Sequence, residues 1–425
     1  MNSEKDKKTP ALEYGLIGAR LGHSFSREIH ALIADYDYTL CELDPRGVAQ
    51  LLDERRFRAI NVTIPYKETV IPLLDCISPE ARRIGAVNTI VNRGGRLYGF
   101  NTDYSGARAL LAHAGIDPRG RRALVLGSGG TSKTLSAVLT DGGASDIRVV
   151  SRTPRDGQIS YEEAYSAHAD AELIINTTPV GMYPNVGQTP IDISRFPRLC
   201  GVADVIYNPL CTLPVLEARA RGIPAEGGLY MLAAQAVYAS ALFLGREADP
   251  ADIDCVWREV RRGKQNIVLV GMPSCGKSSV GRRIAELTGR RFIDTDERIV
   301  TAAGRDIPAI FAERGEAGFR ALECEAVSAA AAESGTVIAT GGGAVLNGKN
   351  LRALRQNGVI CFIDRPLSML CGTPDRPLAQ SDLALAELYA RRYPIYTAAA
   401  DITVPGDGTV EETAKRLLEK IQSFE

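Results

Sequence analysis

Histidine is scarce in this chain: four residues, at positions 23, 30, 113 and 168, among 425. The nine cysteines (41, 76, 200, 211, 255, 275, 324, 361 and 371) form no C-x-x-C pair and no cluster with histidine. That excludes a structural zinc site of the usual spacing. The odd count also argues against a disulfide framework, so a reducing, cytoplasmic setting is expected. Neither sign of charge dominates, with 50 Lys+Arg against 51 Asp+Glu. Nucleic acid and anionic membrane are therefore not expected as main partners. The start, MNSEKDKKTP, carries no apolar stretch of signal-peptide type. One run, Gly228 to Gly245, lacks charge for about 18 residues, the lower limit for a membrane span. It contains Gln235 and two tyrosines and has no flanking basic cluster, and is read as a buried helix.

What is present is a soluble, glycine-punctuated composition, 45% hydrophobic with 41 glycines. At about 150 residues per domain the length predicts roughly three lobes. Tyr14–Gly18 reads as a strand and 26–34 as a helix. From residue 119 onward short apolar strands alternate with helices: ALVLG, DIRVV, ELIIN and GVADV. The polar stretch 259–265 is expected to be a linker. NIVLVG, FID, TVIAT and VICFID then give further strands, and TVEETAKRLLEKIQS a final amphipathic helix. This alternation predicts α/β architecture with parallel sheets.

Two glycine loops carry chemistry. The first, Gly127-Ser128-Gly129-Gly130-Thr131-Ser132, lies between a strand and a helix and is a variant of G-x-G-x-x-G. Its glycines allow backbone N–H groups to approach a pyrophosphate at the helix N-terminus. The next strand ends Ser151-Arg152-Thr153, where an NAD site expects an acid; an arginine suits a 2′-phosphate and favours NADP. The alternative is a solvated arginine at a strand end. Hydride chemistry with such a cofactor also requires a group that moves a proton to or from an alcohol. Lys67 in NVTIPYK and Asp103 in GFNTD would make such a pair; in isolation they read more readily as a surface salt bridge.

The second loop, Gly271-Met272-Pro273-Ser274-Cys275-Gly276-Lys277-Ser278, fits G-x-x-x-x-G-K-[ST] between a strand and the helix 279–288. Its N–H groups would cradle ATP phosphates, Lys277 would reach the β/γ oxygens and Ser278 would ligate Mg²⁺. Cys275 is read as a small filler. Asp294 and Asp296, at i and i+2 of an expected strand, would share one face, one serving Mg²⁺ and one acting as base. No histidine follows residue 168, so the base must be a carboxylate. Arg320 and Arg392 can grip a carboxylate bidentately, and Gly341–Gly343 lets a flat ring approach the backbone.

GLIGARLGHSFSREIH, NVTIPYK, GAVNTI, GFNTDYSG, the first glycine loop with SRT, INTTPVGMYP, DVIYNP and GLYMLAAQA occur in the order found in the shikimate dehydrogenase family. Residues 12–258 therefore resemble that family. The resemblance implies a substrate-binding lobe over 1–104 completed by 235–258, and an NADP-binding Rossmann lobe over 105–234. It implies Lys67 and Asp103 as the catalytic pair. Ser24, Ser26, Thr63, Asn88, Asp103 and Gln235 would hold the substrate, with Tyr207 nearby. The glycine loop residues 127–132, Ser151, Arg152, Thr153, Thr178 and Met231 would hold NADP. Arg27 stands where the family usually has proline, and is expected to affect the choice between shikimate and quinate.

Residues 264–425 resemble shikimate kinase, with a P-loop α/β domain over 266–425. By that resemblance Pro273, Ser274, Cys275, Gly276, Lys277, Ser278 and Ser279 bind ATP, and Asp296, Arg320, Gly342, Gly343 and Arg392 bind shikimate. Asp294 with Ser278 serves Mg²⁺, and Arg376 is the lid arginine near the phosphoryl group. The family's longer basic lid is replaced by LCGTPDRPL, with no basic residue between Arg365 and Arg376. The expected function is reduction of 3-dehydroshikimate followed by phosphorylation of shikimate; the alternative is an active dehydrogenase with a weakly turning kinase domain.

Overall fold

The computed structural model describes residues 12–22, 24–155, 157–370 and 382–424. Its strands form three sheets. The first is mixed, in the order β2-β1-β3-β5-β6-β4, from β1 (Tyr14–Gly18), β2 (Tyr38–Glu42), β3 (Ala59–Val62), β4 (Cys76–Ile77), β5 (Thr89–Arg93) and β6 (Arg96–Phe100). The second is wholly parallel, in the order β12-β11-β10-β7-β8-β9. Its strands are β7 (Arg122–Leu126), β8 (Asp146–Val150), β9 (Gln158–Ile159), β10 (Leu173–Asn176), β11 (Gly201–Asp204) and β12 (Ala225–Glu226). The strand order reverses beside β7, placing the first glycine loop at the switch point where open α/β sheets take ligands.

Nine helices accompany these sheets among the described residues: α1 (Ser26–Ile33), α2 (Pro45–Glu54), α3 (Pro79–Ile84), α4 (Thr102–His113), α5 (Gly130–Asp141), α6 (Tyr161–Ser166), α7 (Leu213–Ala220), α8 (Leu229–Leu244) and α9 (Pro250–Lys264). The uncharged run is α8, with most of its length buried. It packs on α4, α1 and β5. Among the described residues no helix is long and apolar enough to cross a membrane. Of the stretch 259–265, expected as a linker, residues 259–264 are helical and end α9, and the division between the two units falls within it. Ile253, Val256 and Val260 recur at helical spacing and bury one face, so the polar residues of α9 mark its solvated side.

The third sheet is parallel, in the order β14-β15-β13-β16-β17: β13 (Asn266–Val270), β14 (Arg291–Asp294), β15 (Thr336–Ala339), β16 (Gly358–Asp364) and β17 (Ile402–Pro405). All five residues of β13 are buried, as a central strand covered on both faces requires. Its helices are α10 (Lys277–Thr288), α11 (Thr295–Ala303), α12 (Ile307–Ala331), α13 (Gly348–Asn357), α14 (Asp382–Ala399) and α15 (Val410–Phe424). The chain divides into two compact units: residues 1–179, 189–207 and 217–260, and residues 180–188, 208–216 and 261–425.

Candidate active sites

In the first unit, β3 ends at Val62 and turns into the segment carrying Thr63 and Lys67, while α4 begins one residue before Asp103. Asn101 caps α4 by accepting from Tyr104 N, which fixes where Asp103 emerges. Lys67 Nζ and Asp103 Oδ2 lie 2.6 Å apart, with side chains 17% and 11% exposed. This settles the alternative left by sequence: the pair is sheltered and not a solvated surface bridge. At such burial, removing one charge strands the other, at a cost of about 3–5 kcal/mol.

Asn88 is held beside this pair. Its Oδ1 accepts from Thr102 N (2.7 Å) and Thr89 Oγ1 (3.1 Å), and its Nδ2 donates to Thr102 Oγ1 (3.1 Å). Behind it, Asn61 Nδ2 donates to Asn88 O and Thr89 Oγ1, and Asn61 Oδ1 accepts from Tyr38 Oη. Asn61 and Thr89 are supports that the sequence reading passed over, although both lie inside quoted motifs. Thr63 is drawn against β1, since a Cβ on Gly18 would lie 2.6 Å from its methyl. Ser24 Oγ donates to Ser26 Oγ at 3.0 Å at the start of α1, and the Phe25 ring meets Tyr207 at 5.1 Å. Gln235 reaches α4 where a Cβ on Gly106 would lie 3.0 Å from its own Cβ. Arg27 is exposed and its Nε donates to Tyr38 O on β2 (3.3 Å), which gives its guanidinium a partner on the sheet edge.

The first glycine loop suits a pyrophosphate. Gly127 has φ +102°, and a Cβ there would meet Thr177 Oγ1 at 3.0 Å and Thr178 Cγ2 at 3.1 Å. Gly129 and Gly130 face open space, and α5 starts at Gly130 with its N–H groups toward the loop. Thr178 is turned by its own hydrogen bonds to Asn176 Oδ1, and Met231 is buried on α8. Ser151 Oγ donates to Thr153 O at 3.2 Å and Arg152 stands exposed beyond β8, open to a 2′-phosphate.

In the second unit, Gly276 (φ +92°) caps α10 and Ser274 adopts φ 64°, the backbone of a phosphate cradle. Lys277 is buried, and its Nζ donates to Gly271 O (3.1 Å) and Met272 O (2.8 Å), arching over the loop. Cys275 is buried, as a filler should be. Ser278 Oγ donates to Asp294 Oδ2 at 2.6 Å. A hydroxyl beside a carboxylate fits Mg²⁺, which keeps several waters and takes few protein ligands. Asp294 and Asp296 do not share a strand face. Asp294 ends β14 and caps α11, accepting from Asp296 N and Glu297 N, so Asp296 is already helical. The competing principle is capping: an aspartate at a strand end starts the next helix.

Asp296 nevertheless meets the glycine triplet, since a Cβ on Gly341 would lie 2.5 Å from its Oδ1. A Cβ on Gly343 would fall 2.0 Å from Arg320 Nη1, so a larger residue there would displace that guanidinium. Arg392, 5% exposed, donates from Nη1 to Gly342 O (2.9 Å), as does Tyr396 Oη. Glu323, which sequence reasoning missed, is 1% exposed and accepts from Arg320 Nη1 at 2.8 Å. Burial opposes the Arg320 charge, yet Glu323 and Glu316 hold its guanidinium above the ordinary range. An acid three residues after an arginine on a helix was the available signal. Arg376 lies outside the described residues.

A family model described as the shikimate dehydrogenase substrate binding domain matches residues 16–90, and one described as shikimate kinase matches residues 273–422. The shikimate dehydrogenase (NADP(+)) of Clostridium perfringens is 37% identical over 266 residues, covering 58% of this chain and 98% of that protein. This chain belongs to the shikimate dehydrogenase family. It also carries a shikimate kinase domain, and is thus a dehydrogenase–kinase fusion of the shikimate pathway. A solved chorismate mutase/shikimate 5-dehydrogenase fusion from Clostridium acetobutylicum is 36% identical at TM-score 0.56, covering 59% of this chain and 98% of that one. The Thermus thermophilus shikimate 5-dehydrogenase, solved with NADP(H) and shikimate, is 33% identical at TM-score 0.53, covering 58% and 99%. Both matches support the α/β fold of this part of the chain.

Proposed function

We propose that the chain reduces 3-dehydroshikimate to shikimate with NADPH and then phosphorylates shikimate at its 3-hydroxyl with Mg·ATP. The sheltered Lys67–Asp103 pair, 2.6 Å apart, carries the first half of the reading. When bound, NADPH supplies the hydride. Lys67 Nζ gives its proton to the ketone oxygen as that oxygen becomes a hydroxyl, and Asp103, 2.6 Å away, holds the Lys67 Nζ in place. Ser24, Ser26, Thr63, Asn88, Tyr207 and Gln235 hold the substrate, with the Asn88 amide orientation set by Thr102 and Thr89. Residues 127–132 and Thr178 take the pyrophosphate side, Arg152 with Ser151 and Thr153 the 2′-phosphate, and Met231 lies against the cofactor.

In the kinase half, residues 273–279 cradle the triphosphate and Lys277 swings from the loop carbonyls to the β/γ oxygens. Ser278 and Asp294 would hold Mg²⁺, which would offset the charge of the phosphates. Asp296 takes the proton from the substrate hydroxyl, while Arg320 and Arg392 grip the carboxylate beside Gly342 and Gly343. Arg376 of the short lid serves the phosphoryl group.

The test supplies 3-dehydroshikimate, NADPH and Mg·ATP to the full chain. NADPH loss with appearance of shikimate 3-phosphate is expected. Absence of NADPH oxidation sinks the dehydrogenase half, and shikimate accumulating without phosphate sinks the kinase half. Lys67→Met should lower hydride transfer by about 10²–10⁴-fold while leaving phosphorylation of added shikimate intact; equal loss of both contradicts two sites.

A further inference from the structure

The kinase reading leaves one cation beside the phosphate loop without a task. Arg365 is the first residue after β16, the neighbour of β13, so it lies at the carboxyl ends of the two strands flanking the loop. Open α/β sheets bind their ligands at this edge. A Cβ placed on Gly276 would come within 4.0 Å of Arg365 Nη1, putting the guanidinium against the residue that caps α10. On its other side a Cβ on Gly406 would lie 3.3 Å from Arg365 Cβ. Gly406 is itself tied to the end of β16, its N donating to Asp364 O at 2.7 Å. The arginine stem is therefore wedged between the phosphate loop and the turn after β17.

Its charge is uncommitted. Among the described residues the one side-chain hydrogen bond of Arg365 runs from Nε to Met369 O (3.3 Å), and it forms no ion pair. The neighbouring carboxylates are engaged elsewhere: Asp364 accepts from Tyr393 Oη (3.0 Å) and Asp407 from Arg416 (3.0 Å). Both Nη groups thus remain as donors facing a loop whose own backbone is shaped for anions. No other basic residue occurs between Arg365 and Arg376 in the sequence.

We infer that Arg365 is a second cationic clamp on the nucleotide, binding its phosphate chain from the rigid end of β16, opposite Lys277. This rests on the kinase reading and deepens it. A guanidinium anchored on a strand end keeps fewer conformations than one on a long lid, so it surrenders less entropy on binding. The clamp is a binding residue and not a base, so its loss weakens nucleotide affinity more than it slows transfer.

Calorimetric titration of the full chain, Arg365→Ala and Arg365→Lys with Mg·ATP, ADP and adenosine tests this. Arg365→Ala should bind Mg·ATP and ADP at least tenfold more weakly, with adenosine affinity unchanged. Arg365→Lys should recover part of the loss, since it keeps the charge but not the fork. The KM for ATP should rise about as much as the affinity falls, with kcat within about twofold. NADPH oxidation and the affinity for shikimate serve as folding controls and should not move. Equal ADP binding by Arg365→Ala overturns the clamp, as does a loss for adenosine as large as that for ADP. A wild-type chain that binds neither ATP nor ADP overturns the kinase reading, and the clamp with it.

Discussion

His30, on α1, is fully buried between the rings of Tyr38 (3.8 Å, 9°) and Phe243 (5.8 Å, 10°), with its Nδ1 2.6 Å from Tyr36 Oη. Burial holds its imidazole neutral down to about 3, even though the neighbouring Asn61 side chain favours the charged ring. In the unfolded chain histidine protonates near 6.5. Only the unfolded state then takes up a proton between these values. The stability contribution is complete above about pH 6.5 and falls as the pH is lowered toward 3. The urea midpoint should therefore drop between pH 6.5 and 5, and drop less in His30→Phe. An equally steep drop in the variant would show that other groups carry the effect. Single residues were unevenly legible. Lys67 and Asp103 declared themselves as a pair through motifs, but across a separation of 36 positions their shelter from solvent was not legible. Glu323 offered only one of several charges along its helix. Arg27, whose place in the motif raises the question of substrate choice, donates from Nε to Tyr38 O at the β2 edge.

Between elements, the closest approach that matters is α4 against α8. A Cβ on Gly106 would lie 2.8 Å from Met231 O and 3.2 Å from Gln235 N, so the helices meet backbone to backbone. Asp103 lies one turn before Gly106, and Gln235 lies on the facing helix. Gly106→Ala should push the two apart and destabilise the unit by about 1–3 kcal/mol, the usual cost of overpacking. The KM for shikimate should rise as well. Trp257, the only tryptophan, stacks edgewise on Tyr230 of α8 (5.7 Å) and reports melting without a label. Unchanged melting and KM would mean the helices yield freely. The strands and phosphate loops were legible because short apolar runs ending in glycine have few other solutions. The Asp294–Asp296 pair misled, since one aspartate both ends a strand and caps a helix. The polar stretch at the unit boundary was not legible as helix, because a helix with one solvated face looks polar in sequence.

For the whole chain, two sites with separate chemistry predict complementation. Lys67→Met and Lys277→Met, each unable to complete the sequence alone, should together convert 3-dehydroshikimate to shikimate 3-phosphate. The product should appear after a lag while free shikimate builds up. Failure of the mixture, when each partner keeps its remaining activity, would mean that shikimate made by one chain does not serve another. By itself the amino-acid order determined the class of fold, the two phosphate loops and the residue types of both sites, because these depend on local periodicity and contiguous motifs. Only the tertiary structure decided that Lys67 and Asp103 are sheltered from solvent, and that Glu323 stands behind Arg320. It also decided that Gly106 joins two helices and that Arg365 flanks the phosphate loop. Those properties come from contacts between residues distant in sequence, and desolvation and steric exclusion act only once such residues are brought together.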